Sequence, residues 1–154
     1  MGHHTASVRW QRQDPGFADG AYSRRHEWHF DGGSVVTASA SPTVVPAPWS
    51  DASAVDPEEA FVAALASCHM LWFLSLAAAA GHVVDQYEDD AVATLARVAP
   101  QRQAITEVVL RPRVTFGGDQ APGAAEIAAL HEAAHDHCFL ARSVTSTLRI
   151  EPRD

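Results

Sequence analysis

The sequence predicts an α+β fold with antiparallel strand pairing, built on one long buried helix. Three observations predict it. Residues 56–81, DPEEAFVAALASCHMLWFLSLAAAAG, are an apolar stretch set between helix start and stop signals. Strand-like segments flank that stretch in groups instead of alternating with helices. A second helical pattern near the C-terminus precedes one last strand.

Composition sets the outer bounds. At 154 residues the chain is expected to form a single domain, 1–154, with a polar N-terminal segment over 1–20. A hydrophobic content of 47% suits a globular core. A net charge of -8 speaks against nucleic acid or an anionic membrane as partner. The opening MGHHTASVRW lacks the apolar segment of a signal peptide. Two cysteines are too few for a disulfide framework. The expected location is therefore cytoplasmic.

The elements follow in order. Residues 22–30, YSRRHEWHF, alternate with aromatics and predict a strand. Asp31-Gly32-Gly33 is a hairpin turn, and 34–40 return as its partner. Residues 41–53, with Pro42, Pro46 and Pro48, form a loop, with a short extended piece at Val44-Val45. The central helix starts at Asp56, a good N-cap, followed by Pro57, with Glu58 and Glu59 in the first turn where the helix dipole favours negative charge. Gly81 ends it. Residues 82–90 turn outward. Residues 91–98 and 105–116 pair as a hairpin, with Pro112 confined to an edge or a bulge. A loop over 117–123 leads to a helix over 124–137, on which Ile127, Leu130, His131 and Ala134 share a face. Residues 143–150, SVTSTLRI, are the last strand.

The central helix is long enough to raise a membrane question. Much of it is small or weakly polar, no basic residue flanks it, and acidic residues follow soon after. A buried helix of a soluble fold is the expectation. Being apolar all round, it should be buried on all sides. One sheet covers only one side, so a homodimer with these helices near its interface is expected.

Cys68 sits near the middle of this helix and Cys138 at the end of the second. The helix neighbours of Cys68 are Ala64, Leu65, Leu71 and Trp72, none of which stabilises a thiolate. On these residues alone Cys68 is an inert core cysteine, unless a cation reaches it from elsewhere. Arg24 and Arg25 are the available cations, and alternation lets only one point inward. Arg24 shares its face with Tyr22, Trp28 and Phe30. Glu58 or Glu59 is a possible acidic partner; otherwise both stabilise the helix start. His69 follows Cys68, but adjacent helix residues point about 100° apart.

The DPEEAFVAALASCHM run resembles the signature that opens the central helix in the OsmC/Ohr family of osmotically inducible and organic hydroperoxide resistance proteins. CFLARSVTSTLRI resembles the family's second cysteine, helix end and following strand. The order of elements is similar from about residue 22 onward. The resemblance implies antiparallel sheets around long central helices in an intertwined homodimer. It implies a thiol peroxidase acting on organic hydroperoxides. Cys68 would become a sulfenic acid, Cys138 would condense with it to a disulfide, and an external dithiol would reduce the pair. It implies an activating arginine, for which Arg24 is favoured over Arg25, and a glutamate holding it, matched by Glu58. It implies no cofactor and no metal. Two features depart from the pattern: Phe139 stands where peroxidases carry proline, and residues 43–56, which supply the arginine in some members, contain none.

Two other readings remain. His131 and His135 are spaced i, i+4, with His137 and Cys138 close by, a set that suits zinc. Trp72 and Phe73 suit either core packing or a noncatalytic, apolar ligand site.

Overall fold

The computed structural model describes residues 1–118 and 121–153. Asp119 and Gln120, inside the loop expected over 117–123, lie outside the described residues, as does Asp154. The chain divides into two compact units, Met1–Ala60 and Phe61–Asp154.

The N-terminal unit is a three-stranded antiparallel sheet in the order β1-β2-β3. Its strands are β1 Ala6–Arg9, β2 His26–Phe30 and β3 Val35–Ala38. The hairpin through Asp31-Gly32-Gly33 is as the turn residues require, with Gly33 at φ 86°. Three expectations change. The polar segment over 1–20 contains β1, which no alternation announces because all four residues are exposed. Strand β2 begins only at His26, so Arg24 and Arg25 stand in the irregular run before it. Val44 and Val45 belong to a turn in which both donate to the Ser41 carbonyl.

Helix α1, Pro57–Ala79, starts in this unit with a reciprocal cap. Glu59 N donates to Asp56 Oδ1 at 2.8 Å, and Asp56 N donates to Glu59 Oε2 at 3.1 Å. Its other end closes on Gly81 at φ 83°, with Gly81 N donating to Ala78 O and His82 N to Ala77 O.

The C-terminal unit holds the body of α1, two sheets and a second helix. Strands β4 Val83–Asp89 and β7 Pro112–Gly117 form one antiparallel pair. Strands β5 Val92–Ala99, β6 Arg102–Leu110 and β8 Thr147–Ile150 form the other sheet, in the order β5-β6-β8. Helix α2 spans Ala124–His137, as expected, and opens with Gly123 N donating to Glu126 Oε2. The hairpin β5-β6 is antiparallel, but β8 runs parallel to β6, a departure from all-antiparallel pairing. The long strand expected over 105–116 breaks at Arg111, whose N–H donates to Asp89 Oδ1. Pro112 thereby becomes the first residue of a strand with one partner, where its lack of an N–H costs no ladder bond. Residues 82–90 form β4 instead of turning outward. A bulge between Val84 and Gln86 puts half-buried Val84 and Tyr87 three apart and hides the strand period.

Within this unit α1 serves two cores. Leu65 packs with Val108 and Leu110 against Phe61, Ile105 and Leu148. Phe73 and Ala77 pack with Ala134 against Val84, Tyr87 and Phe116. The fully buried positions of α1 are Leu65, His69, Phe73 and Ala77, a single i, i+4 stripe. The helix is therefore not buried on all sides in one chain. Leu71 is 61% exposed, and Ala63, Ala64, Ser67, Ser75 and Ala78 are exposed with it. By length and composition α1 could cross a membrane, the only such helix among the described residues.

Candidate functional site

The two cysteines, seventy positions apart in sequence, meet in the C-terminal unit. Cys68 projects from the middle of α1 and Cys138 caps the C-terminus of α2. Cys138 N donates to Ala134 O and His135 O, which fixes the residue at the helix end. Its Sγ lies 2.7 Å from Cys68 Sγ, with both residues free thiols. A disulfide needs about 2.05 Å, so only a small approach separates this contact from a bond.

The two thiols are not equivalent. Cys68 is half-buried, whereas Cys138 is fully buried. Burial, reinforced by the Cys68 sulfur, pushes the Cys138 thiol up to about 11. Ala141 N donates to Cys138 Sγ at 3.4 Å and offsets part of that rise. Cys138 is thus a thiol held neutral, and Cys68 is the more accessible sulfur. Aromatic rings surround the α2 end of the pair: Trp72 stacks on His137 at 4.9 Å and meets Phe139 edge-on at 5.6 Å.

The predicted arginines and glutamates lie in the N-terminal unit. Arg24 Nη1 donates to Gly20 O at 2.7 Å and Tyr22 O at 2.5 Å, and its guanidinium lies 3.7 Å over the Tyr22 ring. Tyr22, Trp10 and Phe17 form an aromatic group with centroids 4.6–5.8 Å apart. With Arg24 and His26 they line an apolar cleft of about 440 Å³. Arg25 instead pairs with Asp51 at the surface. The Asp51 carboxyl is held below its usual range by hydrogen bonds from Ser53, with Arg25 adding to the effect. Glu59 is committed to the helix cap. Glu58 is half-buried and, among the described residues, forms no ion pair with Arg24.

His69 does not face the thiols. It is fully buried, and its Nε2 lies 3.0 Å from His131 Nδ1 with the rings stacked at 5.4 Å. Burial is the main cause holding both imidazoles at about 4, with His131 and His135 adding to the effect on His69. The zinc set read from the sequence comes apart here. His137 is taken up by Trp72 and Cys138 by Cys68, and among the described residues no three His, Cys, Asp or Glu side chains converge on one point. What that reading missed is that His131-Glu132-Ala133-Ala134-His135 has the form H-E-x-x-H. That pattern brings Glu132 into the set beside the two histidines.

Residues 50–153 match the family model described as OsmC-like protein. No curated protein matches the chain. Among solved structures, an OsmC-like protein of unknown function from Vibrio cholerae is 49% identical, with a TM-score of 0.96 over 99% of this chain and 100% of that one. The OsmC like protein from Mycoplasma pneumoniae is 13% identical, with a TM-score of 0.71 over 99% of this chain and 95% of that one. The organic hydroperoxide resistance protein OhrB of Bacillus subtilis is 18% identical, with a TM-score of 0.67 over 97% and 98%. These two likenesses bear on the fold alone.

Proposed function

Because the chain belongs to the OsmC-like protein family, we propose that it is a cysteine-based peroxidase that reduces organic hydroperoxides. The observation that carries the proposal is the 2.7 Å contact between Cys68 and Cys138. In this reading the Cys68 thiolate attacks a peroxide oxygen. The O–O bond breaks, the alkoxide takes up a proton and leaves as alcohol, and Cys68 holds a sulfenic acid. The Cys138 thiol then attacks that sulfur, forming the disulfide and releasing water. An external dithiol reduces the disulfide, returns both hydrogens and is itself oxidised to a disulfide. A cytoplasmic setting would supply such a dithiol.

By the family resemblance Arg24 is assigned the role of activating cation and Glu58 that of its acidic partner; Arg25 is engaged by Asp51 and Glu59 by the helix cap, and taking up these roles requires Arg24 to leave the Gly20 and Tyr22 carbonyls. The naming of fold neighbours as organic hydroperoxide resistance proteins supports an organic peroxide over hydrogen peroxide. The exposed apolar face of α1 supports a homodimer that covers Leu71. A second reading, a noncatalytic OsmC-like protein binding an apolar ligand, is favoured by Phe139 in the position where the family's peroxidases carry proline.

Turnover of cumene hydroperoxide and of hydrogen peroxide, with dithiothreitol as reductant, decides between the two readings. The peroxidase reading expects catalytic consumption, faster with the organic substrate. Consumption at the buffer rate with both would leave the binding reading.

A further inference from the structure

We propose that His131 and His135 bind a divalent transition metal in the cleft between α2 and the C-terminal strand, at a site separate from the thiol pair. Residues four apart on a helix lie one turn apart on one face, which lets two imidazoles grip a single ion. Both histidines and Glu132 border one cleft of about 330 Å³, whose apolar walls include Leu148, Ile150 and Pro152.

The hydrogen-bond pattern points to a ligand. His131 is 4% exposed; its Nδ1 is engaged by His69, while its Nε2 is buried without a partner among the described residues. His135 Nδ1 is buried and unpartnered in the same way. Buried polar atoms are nearly always paired, so two unpartnered ring nitrogens at one cleft need an explanation. A metal ion supplies one for both. His69 then plays the part that a second hydrogen bond plays for most metal-bound histidines. With His131 Nδ1–H donating to His69 Nε2, the His131 Nε2 lone pair is free to bind an ion.

The donor set narrows the metal. Imidazole nitrogens suit zinc, cobalt, nickel and copper; magnesium and calcium prefer oxygen. Since no third side chain converges among the described residues, those residues supply two ligands and the other positions fall to water or to a small ligand. Glu132, exposed, borders the same cleft.

The test is a Co²⁺ titration of the reduced full-length protein, followed by visible absorbance, with Zn²⁺ competition by calorimetry. The site predicts one saturable Co²⁺ per chain, d–d bands without a thiolate charge-transfer band, and displacement by Zn²⁺. His135→Ala should weaken binding by roughly tenfold or more. His137→Ala, two residues away and stacked on Trp72, should bind like the parent protein. Both substitutions fall outside the fully buried set, so both variants should fold. Absence of saturable binding, equal affinity in the two variants, or a thiolate band would each overturn the proposal.

Discussion

Helices α1 and α2 meet through two side-chain pairs that use neighbouring residues and have opposite characters. Cys68 reaches Cys138, and His69, the next residue, reaches His131. The thiol pair has one half-open member and one sealed member. The imidazole pair is buried, with His131 bordering the cleft of α2. Since adjacent helix positions point about 100° apart, one step along α1 separates an accessible sulfur from a dry core. Sequence proximity to a reactive residue therefore says little about sharing its chemistry. His69 follows Cys68 directly and is committed to the other face of the contact.

The largest expected effect breaks the thiol half of this comparison. Cys68→Ser should reduce hydroperoxide turnover to the buffer rate in the dithiothreitol assay. Cys138→Ser should instead permit one oxidation, with no disulfide, and leave Cys68 open to sulfinic acid formation, visible by intact mass. Full activity in Cys68→Ser would end the thiol mechanism.

The imidazole half should answer in stability. His131→Ala strips His69 Nε2 of its partner in a dry site, at a cost of about 1–3 kcal/mol before any packing loss. Denaturant unfolding measures this, and a loss below about 0.5 kcal/mol, the level of ordinary surface substitutions, would mean the pair is not a structural contact.

A smaller effect sharpens the contrast within the thiol pair. With its thiol pushed up to about 11, Cys138 should carry little thiolate at pH 8 and more as pH rises toward that value. Iodoacetamide should label Cys68 first in the folded protein, and the order should vanish in denaturant. Preferential labelling of Cys138 at pH 8 would contradict its burial. Smallest of all, Asp56→Ala removes the cap that starts α1 and should cost about 1 kcal/mol without favouring either pair.

Much of this was legible in the sequence where local chemistry dominates. Asp56, Pro57 and Gly81 bracketed α1 because capping and the positive φ of a helix end are local demands. The extent of α2 followed from its apolar face, with Ile127, Leu130, His131 and Ala134 at helical spacing. Long-range features were less legible. The bulge in β4 erased its two-residue period, and β1 has no buried face to produce one. Arg24 looked like a strand residue by alternation, yet it sits in irregular chain held by Gly20 and Tyr22 carbonyls. The cysteine pair was readable only through resemblance to a family, because nothing local to residue 68 anticipates residue 138. The His69–His131 contact left no trace at all, since a histidine on an apolar helix reads the same whether it is paired or not.

The central claim is that Cys68 and Cys138 are a redox pair, and intact mass with peptide mapping tests it most directly. The reduced protein is titrated with an organic hydroperoxide, and free thiols are counted at each step. The account predicts loss of both thiols at one equivalent of peroxide, with a peptide linking Cys68 to Cys138. Two thiols that persist through a large excess would contradict it and leave the cysteines as packing residues between the helices.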